Sequence, residues 1–361
     1  MAQRVRDLRL DLVRICALFF VVGVHFFLQS NFYLEGVVAG KSMIVALLAR
    51  SLFIICVPLF IILTGYLQNQ VTPSKKYYLK IFKILLTYLI CAVIYESFLA
   101  WYDKEPLTMD CFIRSLLEFS RYSWYVNMYI GLFFLIPFLN LVFNNLGTKR
   151  ARKALLIILF CLIGLPSIVN IFDTKIIPDW WIKIYPFFYY YLGAYLSKYP
   201  IKISTLRSLG YIVLLILFNG FFDYFYSRGG MYQVGTWNSY NSGTVMILSL
   251  LVFNLFINLK KVKYSAKMTK LITILSNACF AAYLISVIFD TIFYTILIDS
   301  FPDMHQRLLY MPVIVLCSFV CSLASGVFIV FLQDTITKMF GLMKRTIKEL
   351  SSSTPPTNKT D

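Results

Sequence analysis

Arg14 and His25 stand eleven positions apart in LDLVRICALFFVVGVHFF, and no residue between them carries a charge. An imidazole can take a proton from a hydroxyl near neutral pH, and a guanidinium grips phosphate oxygens. On an α-helix, eleven steps bring both side chains to one face, about 16 Å apart along the axis. Ionisable groups at bilayer depth are costly, so they usually face a protein-lined or watered interior and carry function. The pair therefore suits a charged ligand anchored at one end whose reactive end reaches inward. The plainer reading of His25 is a hydrogen-bonded packing residue. Its alignment with Arg14 favours chemistry, and the other histidine, His305, falls in a polar loop.

Further candidates gather around that axis. Lys80 and Lys83, one turn apart in KKYYLKIFK, can join Arg14 in holding phosphate, whereas Lys75 and Lys76 read as interfacial anchors. Glu35, in the loop after the first apolar run, can orient the imidazole or an incoming hydroxyl if that loop folds back. Arg50, Glu96, Asp223 and Asp290 lie in or near apolar segments, with partners that the sequence does not reveal. The segment SRGGMYQVGTWNSYNSG, residues 227–243, mixes amides, glycines and aromatics that can bind sugar rings. Trp237 and Asn241 there, with Trp124, are the expected acceptor-binding residues. The competing reading assigns Tyr232, Trp237, Tyr240, Trp180 and Trp181 to an aromatic belt at the membrane surface. The sequence shows no metal-ligand cluster, Gly-rich phosphate loop or Ser/His/Asp motif.

The elements that must position these residues are membrane helices. The chain is 59% hydrophobic with a mean hydropathy of +0.74, and runs of about 18–25 apolar residues, each able to cross a core of about 30 Å, recur along it. Ten are expected, at 10–28, 43–67, 84–102, 124–143, 154–172, 184–197, 209–226, 243–259, 271–298 and 309–332. Twenty-five of the 34 lysines and arginines then fall on the side of the amino terminus and eight on the other, with Arg50 inside a span. The positive-inside rule thus places both termini in the cytoplasm. The net charge of +17 reads as topology and attraction to anionic lipids rather than nucleic-acid binding.

The first apolar run carries Asp11, Arg14 and His25 and lacks a small-residue cleavage pattern, so it is expected to be a retained helix. Seven of the eight cysteines fall in apolar segments and Cys111 outside them, which implies no disulfide framework. The reading is an all-α polytopic protein with one membrane domain, 1–335, and a cytoplasmic amphipathic and disordered tail, 336–361. A transporter or flippase for a glycan or lipid-linked precursor, and a membrane scaffold, remain alternatives from the residues alone. The halves show no clear internal repeat, which counts modestly against a transporter.

Arginine, ten residues, then histidine in the first helix, after Leu10-Asp11-Leu12, resembles the signature of the acyltransferase-3 family. PLFIILTGYL at 58–67, the basic KKYYLKIFK, SWYVNMYIGLFFLIP at 123–137, YYYLGAYLS at 189–197 and CFAAYLISVIFD at 279–290 continue the family's pattern in order. Two departures stand out. Lysines occupy the place where many members carry an arginine pair, and Tyr283-Leu284-Ile285-Ser286 stands where many read Tyr-Leu-Leu-His. The resemblance implies a stand-alone O-acyltransferase in a bacterial plasma membrane. It would move an acyl group, most often acetyl, from cytoplasmic acyl-CoA to a hydroxyl of an envelope or exopolysaccharide glycan. Arg14, Lys80 and Lys83 would hold the donor without a metal, and His25 would act as general base or acyl carrier. Membrane lipids, and a second copy in a homo-oligomer, are the other partners considered.

Overall fold

The structure is a computed structural model and describes residues 6–104, 106, 108, 109, 113, 124–170, 175–262 and 264–352, with side chains to 339. Arg4, Cys111, Arg114, Arg121, Lys263 and the end of the tail, with Lys359, lie outside the described residues. The chain folds as an all-α polytopic membrane protein. Its helices are α1 (Leu8–Gln29), α2 (Gly40–Phe53), α3 (Cys56–Gln68), α4 (Ile81–Tyr102), α5 (Trp124–Asn145), α6 (Lys149–Ile163), α7 (Tyr185–Lys198), α8 (Thr205–Ser227), α9 (Gly243–Asn258), α10 (Ala266–Ser300) and α11 (Met304–Ser352). Short helical turns at Phe32–Glu35, Lys75–Tyr78 and Leu165–Val169 link them.

α1 lies at the centre, packed against α3, α9, α10 and α11. Its run of Val, Leu and Phe is apolar on every side, as a helix surrounded by others must be, and Val13, Ala17, Leu18, Val22, Phe26 and Phe27 are fully buried. Asp7 caps it, accepting from the Arg9 amide at 3.2 Å. It stops at Ser30, where Asn31 takes a left-handed φ of 61° and turns the chain into Phe32–Glu35, a conformation that asparagine tolerates better than most residues. α2 and α3 cross the membrane together. Pro58, which lacks an amide hydrogen, falls in the first turn of α3, and the chain breaks just before it at Ile54 and Ile55.

Among the described residues, eight helical stretches are long and apolar enough to span a bilayer. The expected fifth and sixth spans exist as helices but fall short. α6 opens on four basic residues and stops at Gly164, just before Pro166. α7 has 14 residues, about 21 Å of rise, and is buried from Phe188 to Leu196. Burial removes the need to match the bilayer, because protein rather than lipid covers its ends. α7 meets α3 at Gly65 and Gly193, where an added Cβ would strike the Tyr190 and Ile62 carbonyls respectively. α11 continues unbroken from Met304 to Ser352, so the expected boundary at 335 lies inside one helix.

Candidate active site

A cavity of about 500 Å³ runs along α1 and reaches both Arg14 and His25, within the size range of small-molecule sites. At one end it meets Arg14, Lys83, Gln68, Asn277 and Asp334; at the other it meets His25, Leu28, Trp124 and Tyr240. Exposed residues bound both ends: Lys83 and Asp334 the first, Leu28 and Trp124 the second. Between them the wall is largely apolar, with Val21, Val57, Phe60 and Leu63. The helical spacing read from the sequence therefore puts the two residues in one space.

His25 is 6% exposed and its Nδ1 lies 2.7 Å from Oδ2 of Asp290 on α10. The other carboxylate oxygen accepts from Oγ of Ser318 on α11 at 2.9 Å. Asp290 and Ser318 are fully buried. A carboxylate in that position favours the tautomer with hydrogen on Nδ1, directs Nε2 to chemistry and stabilises an imidazolium once it forms. The sequence marked Asp290 as an ionisable residue in an apolar segment whose partner it did not reveal, and gave no sign of Ser318.

Arg14 is held differently. Its NH1 donates to Ser276 Oγ at 2.6 Å and lies 3.5 Å from Oδ1 of Asp11. Asp11 is in turn gripped by both arms of Arg6, at 2.7 Å each, and accepts from Ser276 Oγ at 2.6 Å. Arg6 thus takes most of the Asp11 charge, which leaves Arg14, 28% exposed along its side chain, as a cation facing the cavity. Two cross-links therefore join α1 to α10, Asp11 to Ser276 and His25 to Asp290, and each spans 265 positions. The two helices run parallel in constant register. Fourteen residues are close to four turns, so both links fall on the same seam.

The other expected site residues divide. Lys83 and Trp124 line the cavity, and Trp124 packs against Tyr240 with ring centres 5.6 Å apart. Lys80 does not; its ammonium sits 5.9 Å from the centre of the Tyr77 ring. Glu35 does not reach the imidazole, because Arg307 binds it at 2.7 Å and Asn31 at 2.9 Å. Arg307 holds the Glu35 carboxyl below its ordinary value, and Asn31 adds to the effect. Asp290 takes the orienting place that Glu35 was expected to fill. Trp237 is also drawn away: its indole donates to Asp223 at 3.1 Å, beside Tyr232 at 2.9 Å and Asn238 at 3.1 Å. Arg50 completes that cluster, 3.8 Å from Asp223 and 4.6 Å from the centre of the Tyr232 ring. Arg50, Asp223, Trp237 and Asn238 of the cluster line a separate cavity of about 60 Å³. Asn241 is half-buried outside both cavities, next to Tyr240. His305 bonds to Ser42 at 3.0 Å.

The acyltransferase-3 family model, described as an acyltransferase domain, matches residues 7–328. No curated protein and no solved structure matches the chain. The chain belongs to the acyltransferase-3 family and is an acyltransferase, which sets aside the transporter and scaffold alternatives.

Proposed function

We propose that this acyltransferase moves an acetyl group from cytoplasmic acetyl-CoA to a hydroxyl of an envelope or exopolysaccharide glycan, from within a bacterial plasma membrane. The observation that carries the reading is the continuity of one cavity from Arg14 to His25. In the orientation given by the basic residues, the Arg14 end faces the cytoplasm and the Trp124 end faces outward. Arg14 and Lys83 bind the donor phosphates, which places the thioester at the depth of the imidazole.

His25 then acts as general base through Nε2. It takes the proton of the acceptor hydroxyl as the oxygen attacks the thioester carbonyl; the carbon–sulfur bond breaks, and the imidazolium returns the proton to the departing thiolate. His25 bears the transient positive charge, Asp290 stabilises it and Ser318 holds Asp290. Trp124 and Tyr240 offer aromatic faces to the acceptor sugar. Among the described cavity residues the charges are Arg14, Lys83 and Asp334, all at the donor end, so an uncharged acyl group suits the space beside His25 better than a dicarboxylic one.

Membranes incubated with acetyl-labelled acetyl-CoA test this. Wild type deposits base-labile label on glycan, and His25→Ala and Arg14→Ala, inserted at normal levels, do not. Normal acylation by either variant overturns the roles given to it.

A further inference from the structure

We propose that Thr64, Gln68 and Tyr129 form a subsite for the amide-bearing arm of a pantetheine thioester, between the phosphate-binding end of the cavity and His25. The inference rests on the donor being a coenzyme A thioester, and names the residues that recognise its middle.

The cavity wall changes character along its length. α3 runs antiparallel to α1, so Gln68 lies at the level of Arg14, and each turn back along α3 moves about 5.4 Å towards His25. Gln68, Thr64 and Phe60 are successive turns of one face, and all three line the cavity. Tyr129 reaches the same stretch from α5. Its hydroxyl is 3.5 Å from Gln68 Nε2. From Arg14 inward, a ligand therefore meets cations, then an amide and two hydroxyls, then Phe60, Val57 and finally the imidazole.

Polar groups at bilayer depth in a largely apolar wall mark ligand paths. Thr64 donates its hydrogen to the Phe60 carbonyl at 2.8 Å, so towards the cavity it can only accept. Gln68 can both donate and accept. Together they complement a secondary amide, which brings one N–H and one C=O. From phosphate to sulfur, the pantetheine arm presents a charged end, two amides and a thioester, in the same order as the wall.

Thr64→Val and Gln68→Leu keep side-chain size and add apolar character inside the membrane, so both are compatible with insertion. Binding to purified, full-length protein is measured for two probes, CoA and pantetheine, the second lacking every phosphate. We expect the double variant Thr64→Val/Gln68→Leu to lose about tenfold in affinity for both, as two hydrogen bonds would give. Arg14→Ala should weaken CoA while leaving pantetheine unchanged. If the double variant binds both probes as wild type does, the subsite is overturned and the donor reading stands. If wild type binds neither CoA nor pantetheine, the donor reading falls and takes the subsite with it.

Discussion

At the scale of single residues the account turns on which nitrogen of His25 reacts. Asp290 lies 2.7 Å from Nδ1 and, as a carboxylate, can only accept, so replacing it by asparagine, whose amide can donate, should force the proton to Nε2 and remove the base. Asp290→Asn is expected to lower acyl transfer by about 10²-fold or more, the usual contribution of general acid–base catalysis. With only two histidines in the chain, nitrogen-15 labelling reads the tautomer directly once His305→Gln removes the second signal. Wild type should carry the Nδ1–H form, and an Nε2–H form would contradict the assignment. Trp124 and Trp237 give a second contrast. Trp124→Ala should raise the acceptor KM, because the ring lines the cavity, whereas Trp237→Phe breaks only the bond to Asp223 and should leave acceptor KM unchanged. Arg14 and His25 were legible because a helix converts spacing into direction. Asp290 was visible only as an expensive charge, since a partner 265 positions away leaves no local pattern. Trp237 and Glu35 misled because the aromatic and acidic residues of a loop look alike whether they face a ligand or an internal charge.

At the scale of elements, two contacts set the frame that holds the site. α3 and α7 cross closely at Gly65 and Gly193, each against a backbone carbonyl of the other helix. A methyl group there must push the helices apart. Gly65→Ala or Gly193→Ala should cost about 1–3 kcal/mol, as overpacking does, and lower the thermal midpoint of the detergent-solubilised protein by several degrees; an unchanged midpoint would refute the close crossing. The second contact is the Asp7 cap of α1. Arg9 holds the Asp7 carboxyl below its ordinary value. A lowered folded value means that the carboxylate stabilises fully above the ordinary aspartate range and that this is lost as pH falls through the lowered value. Asp7→Ala should therefore destabilise α1 by about 1 kcal/mol at neutral pH, and the gap from wild type should close under acid. A gap constant with pH would exclude the charged cap. Eight of the ten expected spans were legible because hydrophobic length reports crossing. The sixth run, 184–197, was already short in the sequence; what the sequence could not say is that protein, rather than lipid, surrounds α7.

At the scale of the whole molecule, the fold places two chemically different openings on opposite ends of one cavity. The cationic end collects Arg14 and Lys83; the aromatic end collects Trp124 and Tyr240. On the proposed function, an acyl group changes sides by reaction at His25, without its carrier crossing the bilayer. Sidedness in sealed vesicles tests this most directly. Vesicles in native orientation, loaded with labelled acetyl-CoA and supplied with acceptor glycan outside, should transfer label outward in wild type and not in His25→Ala. Transfer from acetyl-CoA supplied only outside, at the same rate, would contradict the account.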